Sequence, residues 1–195
     1  MLSEIKKISS LLLSVAFSSI GFIASITVTV LAAREVSSNP LFVGFPNAVG
    51  VGGAVLGTRM IYLISKNNSQ LNALAFTFLI GAFGGAIMFY SLIVDSFVLL
   101  LFGAFILGIG QSATLQTRYA ASFVASEKFK ATALSLAVWF SVFGSVFGPR
   151  MVGSYSNFFE NIFNSELIVG YVIALVGMLF AASSLFIFTS KKSIL

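Results

Sequence analysis

Long apolar runs, each about the length of a bilayer crossing, alternate with short polar turns along the whole of this chain. Six such runs stand out, at about 11–33, 41–64, 71–94, 97–117, 131–152 and 167–188. A hydrocarbon core of roughly 30 Å takes about 20 helical residues to cross. Membrane strands would be shorter and would alternate in polarity, which these runs do not. The pattern predicts an all-α integral membrane protein, with residues 1–195 forming a single six-helix transmembrane domain. The first run follows Lys6 and Lys7 as a signal peptide would, but it is too long and has no clear cleavage signal, so it reads as a retained helix.

Inside the runs, the few polar and small residues fall on faces. Ser14, Ser18, Ser25 and Thr29 lie within about a 60° sector of helix 1, with Gly21 among them. Gln111, Thr114, Arg118 and Ser122 share one face of helix 4 at i, i+3, i+7 and i+11. A polar stripe in an apolar helix points to a wet pathway, so Ser14, Ser18, Ser25, Thr29, Gln111, Thr114 and Arg118 are candidate pathway residues. Helix packing through small hydroxyls competes for the helix 1 set. For Arg118 the competing role is an interfacial anchor whose charge snorkels to the surface, and Arg59 invites that same reading. Small residues form two further faces: Gly50, Gly53 and Gly57 on helix 2, and Ala137, Ser141, Gly144 and Gly148 on helix 5. Small faces let helix backbones approach closely, either onto a partner or within this bundle. Turned outward, they would leave the six-helix unit intact while a bulky residue at Gly148 broke assembly. Pro46 is expected to kink helix 2. Helix 3, rich in Phe and Leu, is expected to face lipid or pack peripherally.

An internal repeat emerges when the halves are superposed. Helix 2 ends Gly53-Ala-Val-Leu-Gly57-Thr-Arg59-Met60, and helix 5 carries Gly144-Ser-Val-Phe-Gly148-Pro149-Arg150-Met151. Both read GxxxGxRM, yet the two helices cross in opposite directions. Two inverted three-helix repeats would give this arrangement.

Composition agrees with a membrane protein: 58% of residues are hydrophobic and 9% charged, with a mean hydropathy of +1.04. The net charge of +5 matters less than its placement. Lys6, Lys7, Lys66, Lys128, Lys130, Lys191 and Lys192 all fall on one side of a six-span chain. Glu35, Asp95, Glu160 and Glu166 fall on the other, with only Arg34 and Arg150 as basic neighbours. The bias places both termini in the cytoplasm of a multi-pass cell-membrane protein. The basic residues never cluster on a soluble face, so a nucleic-acid partner is not expected. With no histidine and no cysteine, imidazole catalysis, disulfides and the usual transition-metal sites are excluded. No HExxH, GxSxG or Walker-type loop occurs, and no acidic pair lies inside a span. No enzyme, cofactor or metal is expected.

On these residues the chain resembles the amino-terminal six-helix half of a major facilitator superfamily transporter. Gly144-x3-Gly148-Pro149 is similar to the antiporter-type motif of that superfamily. The stretch from Gly110-Gln111 through Gln116-Thr117-Arg118-Tyr119-Ala120-Ala121, then 133–139 (Ala-Leu-Ser-Leu-Ala-Val-Trp), resembles efflux-type permeases of prokaryotes. The loop after helix 2, around Lys66, departs from the family pattern in lacking an acid and a basic cluster. The family also has twelve helices where six occur here. The resemblance implies half of a major facilitator fold, transport of a small molecule of unidentified class, and completion by a second six-helix half. That half would be a second copy or a separate chain. The alternatives are an inactive or split transporter fragment, or a small membrane protein acting as an assembly partner.

Overall fold

The computed structural model describes residues 2–37 and 40–192, with side chains from 8 to 37 and from 41 to 187; the side chains of Lys6, Lys7, Lys191 and Lys192 therefore lie outside the described residues. The elements are α1 (Leu2–Val36), a 3-10 turn (Pro40–Phe42), α2 (Phe45–Asn67), α3 (Gln70–Ile93), α4 (Phe97–Val124), a 3-10 turn (Glu127–Phe129), α5 (Lys130–Phe163) and α6 (Ile168–Lys192). Each α-helix contains a stretch long and apolar enough to cross a membrane. The fold is all-helical, and the chain is a multi-pass membrane protein.

Short caps set the turns. The Ser69 hydroxyl accepts the Asn72 N–H at 3.2 Å to open α3, and the Ser96 hydroxyl accepts that of Leu99 at 3.4 Å to open α4. Asp95 turns the chain between them in the left-handed region (φ 49°). Lys130 pairs with Glu127 at 2.7 Å in the exposed turn before α5. Lys66, Lys128 and Lys130 thus share the end of the bundle that holds both termini.

The packing has an internal symmetry. Exchange of α1 with α4, α2 with α5 and α3 with α6 maps each major helix pairing onto another: α3–α4 onto α6–α1, and α2–α4 onto α5–α1, while α3–α6 and α1–α4 map onto themselves. Because each repeat has three spans, the second enters the membrane in the opposite sense. The two GxxxG faces occupy equivalent places. A Cβ at Gly53 would collide with the Phe105 carbonyl of α4, and one at Gly57 would lie 2.7 Å from the Ile109 oxygen. In the other repeat, a Cβ at Gly144 would lie 2.6 Å from the Ser19 backbone of α1, and one at Gly148 3.0 Å from the Ala24 nitrogen. Residue numbers rise together across both crossings, so both helix pairs are parallel. The α3–α4 and α6–α1 pairs run antiparallel, with Gly81 against Gly110 and Gly177 against Phe17 and Gly21.

Several expectations change here. The small faces of α2 and α5 are turned inward, onto α4 and α1, so a bulky residue at Gly148 strikes this bundle before any assembly. Helix 3 is not peripheral: Phe76, Phe83 and Tyr90 are exposed, but Gly81, Gly84 and Gly85 seat α3 against α4 and α6. Pro46 does not kink α2. It lies in the first turn, where a missing N–H costs no helical bond. Helices 4 and 5 run well past their apolar stretches. The extension of α5 beyond Pro149 is held by Met151, Val152 and Phe159 against Ala24, Val169 and Ile173, and by Phe163 against Phe89 with ring centroids 5.4 Å apart. Asn164, left-handed at φ 57°, ends it.

The central helices are therefore α1, α3, α4 and α6, in which 50% or more of the most apolar stretch is buried. In α2 and α5 the shares are 17% and 22%. Opposite its glycines α2 shows Val51, Val55 and Tyr62, and α5 shows Trp139, Val142 and Val146, all exposed.

Gly53→Ala is expected to lower unfolding stability in detergent by about 1–3 kcal/mol, because its methyl group meets α4 backbone. Gly52→Ala, which meets nothing within 4 Å, should be neutral or stabilising by up to about 1 kcal/mol. Thermal unfolding of the two variants beside the parent checks the pair.

Candidate functional site

A cavity of about 220 Å³ lies between α1, α2 and α4, closed at one side by Met88 of α3. Helix 1 contributes Phe22, Ser25, Ile26 and Thr29, helix 2 contributes Pro46, Asn47, Gly50 and Val51, and helix 4 contributes Ala104, Leu107 and Gln111. Apolar walls with a few convergent hydroxyl and amide groups are the usual makeup of a small-molecule site. The cavity lies toward the end of the bundle that carries the start of α2.

Each polar group is placed by its helix. The Ser25 hydroxyl donates to the Phe22 carbonyl (2.7 Å) and that of Thr29 to the Ser25 carbonyl (2.7 Å). These bonds satisfy the protons and leave oxygen lone pairs for an incoming donor. Asn47 and Gln111 are half-buried and can both donate and accept. Behind this wall, Tyr171 of α6 is fully buried, its hydroxyl 3.5 Å from Thr29 Oγ1.

The candidate pathway residues divide into three groups. Ser25, Thr29 and Gln111 come together in the cavity. Ser14 and Ser18 do not: Ser14 donates to the Ala181 carbonyl of α6 at 3.1 Å and receives the Ser184 hydroxyl at 3.2 Å, while Ser18 bonds back to Val15. Both are buried in helix packing. Thr114 and Arg118 continue the row Ala104, Leu107, Gln111 along α4, away from the cavity and toward the end that holds the termini. Thr114 is buried and Arg118 half-buried. Among the packing candidates, Gly50 lines the cavity and also touches α4. Gly53, Gly57, Gly144 and Gly148 lie at helix crossings, Ser141 bonds to the Val138 carbonyl at 2.6 Å, and Pro149 is exposed within α5.

Sequence reasoning missed Asn47 and Tyr171. An amide beside Pro46 is a signal for a polar group at a helix entrance, obscured when Pro46 is placed mid-helix. Tyr171 is a phenol in the first turn of an apolar helix, and nothing in its spacing marks the Thr29 contact.

Comparison with curated proteins now bears on this arrangement. The chain is 30% identical over 175 residues to the uncharacterized MFS-type transporter YdeG of Bacillus subtilis (strain 168), covering 90% of this chain and 41% of that protein. It is also 30% identical over 183 residues to the uncharacterized MFS-type transporter YddS of the same organism, covering 94% of this chain and 42% of that one. Over at least nine-tenths of its length the chain is similar to MFS-type transporters, and its six spans in two packed repeats are consistent with half of a major facilitator fold. It spans about two-fifths of the length of the curated relatives it matches. No family model matches the chain, and no solved structure matches it.

The absence of native cysteine makes the cavity directly testable. Asn47→Cys and Gln111→Cys are expected to react readily with a small, water-soluble methanethiosulfonate in reconstituted protein. Ser14→Cys, at 0% exposure, is expected to stay unreacted until the bundle is unfolded. Equal labelling at all three positions would remove the distinction between cavity and packing hydroxyls.

Proposed function

We propose that this chain is one six-helix half of a permease that moves a small solute across the cell membrane. It is completed by a second six-helix half. What chiefly supports this reading is the placement of α2 and α5. Their glycine sides are taken up inside the bundle, while their bulky apolar sides (Val51, Val55, Trp139, Val142, Val146) remain uncovered. The cavity has α2 as one wall, so a second half set against that flank would enclose it. The similarity to transporters of more than twice this span points the same way. Within this proposal the chain acts as a single domain, and the resemblance of helices 4 and 5 is to efflux-type permeases.

The orientation follows from the lysines. Both termini, the α2–α3 turn and the α4–α5 turn face the cytoplasm, because Lys66, Lys128 and Lys130 mark that end. The outer end carries Glu35, Asp95, Glu160 and Glu166.

Two measurements test the proposal. A cysteine at Ser69 should resist impermeant thiol reagents in intact cells and react once the membrane is opened. Labelling from outside would overturn the orientation. Mass determination in nanodiscs, paired with solute flux in vesicles, is expected to find transport only where two halves are associated. A strictly monomeric chain that transports would contradict the second half. A monomer without transport would identify an inactive fragment.

A further inference from the structure

The row of α4 that lines the cavity does not end there. Ala104, Leu107 and Gln111 face the cavity, and Thr114 and Arg118 continue the same row at three- and four-residue steps. Arg118 therefore lies about 10 Å beyond Gln111 along the axis, at 1.5 Å per residue. Two polar groups on this continuation lack partners. The Thr114 hydroxyl, on a residue only 4% exposed, makes no hydrogen bond, and neither does the buried Nε of Arg118.

Thr114 is the exception on its helix. Ser112, Thr117 and Ser122 each donate to a carbonyl three or four residues back, at 2.7 Å. That is the ordinary fate of a hydroxyl in an apolar helix. Thr114 has the same option and does not take it. Arg118 is half-buried, its Nε has no hydrogen bond, and among the described residues no carboxylate neutralises its guanidinium. Ser10, Ser19 and Ser165 also carry unpartnered hydroxyls, but none of them lies on α4, whose row lines the cavity. Buried donors without acceptors are costly unless something fills them.

We infer that Thr114 and Arg118 form a recognition site for an anionic group, a carboxylate or a phosphate, on the inner continuation of the α4 row that lines the cavity. A guanidinium presents donors in a planar fork that matches either group, and a free hydroxyl one turn away adds a further donor. Further out on the same row the cavity has apolar walls, Phe22, Ile26 and Leu107 among them, so a small organic anion moving along that row would meet both. This narrows the substrate class to small organic anions, and to that extent it rests on the permease reading. The site itself does not depend on transport. A phospholipid headgroup offers the same anionic chemistry and is the other possible source.

The test is arginine modification by phenylglyoxal on the full chain in phosphatidylcholine nanodiscs, read peptide by peptide. The chain has four arginines, so Arg34, Arg59 and Arg150 serve as internal references. Millimolar benzoate or inorganic phosphate is expected to slow modification of Arg118 roughly threefold or more, with the reference rates unchanged. Neutral benzamide should not protect. Thr114→Val should lose much of the protection while the reference rates stay as in the parent. Protection in phosphatidylglycerol discs without added anion would support the site and identify the headgroup as its source. Protection by benzoate in phosphatidylcholine discs would support it and identify a solute. Arg118 reacting at one rate under every condition would overturn the inference, as would slowing shared equally by all four arginines. Because binding is read without flux, a chain that binds but does not transport leaves this site standing and removes only the permease reading.

Discussion

Two parallel helix crossings, α2 on α4 and α5 on α1, hold this molecule together, and both depend on missing side chains. Lipid is as apolar as leucine, so burying apolar surface gives little drive for membrane helices to associate. Attraction comes instead from dispersion between atoms in contact, which grows when backbones come close. Gly53 and Gly57 let α2 lie on the Phe105–Ile109 turn of α4. Gly144 and Gly148 let α5 lie on the Ser19–Ala24 turn of α1. The repeated sequence pattern is thus one contact used twice, once in each repeat.

The rest of the architecture follows from that contact. With their small sides committed to α4 and α1, helices α2 and α5 must turn their valines and aromatics outward. The four helices between them form the packed centre, stitched by further close approaches such as Gly81 to Gly110 and by the Ser14–Ser184 hydroxyl pair between α1 and α6. The cavity lies beside the start of α2, where Pro46, Asn47, Gly50 and Val51 line it. The polar groups of the cavity sit on three different helices, so its shape is set by the crossings rather than by any one segment. Pro46 places the first turn of α2, and with it Asn47, at the mouth.

Much of this was legible in the sequence. The six spans could be read from hydropathy because twenty apolar residues admit little else in a chain of this length. The GxxxGxRM repeat gave the inverted symmetry, since glycine at a crossing has no common substitute. What covers a face was not legible. Periodicity places Gly144 and Gly148 on one side of a helix but says nothing of which helix lies there, so inward and outward packing looked alike. The same limit applied to the helix 1 hydroxyls: Ser14 and Ser25 share a sector, yet one meets α6 and the other the cavity, because neighbours change along a 35-residue helix. The length of α5 was hidden because its last turns are held by tertiary contacts of Phe159 and Phe163, not by hydropathy. Pro46 was misplaced because a proline in an apolar run looks the same at a helix start as in its middle.

The central claim is that α5 faces inward with its glycines and outward with the side that carries the chain's single tryptophan. Trp139 is 69% exposed, on the side of α5 opposite Gly144 and Gly148. Its quenching by phospholipids brominated on the acyl chains, in discs that each hold one copy, reads that orientation directly. Trp139→Phe/Tyr171→Trp, with its tryptophan moved into the α1–α6 interface, sets the protected limit. Strong quenching of Trp139 and little quenching of the control is the predicted result. A Trp139 as protected as the control would mean that α5 is turned the other way, with its glycines toward the lipid, and would contradict the account.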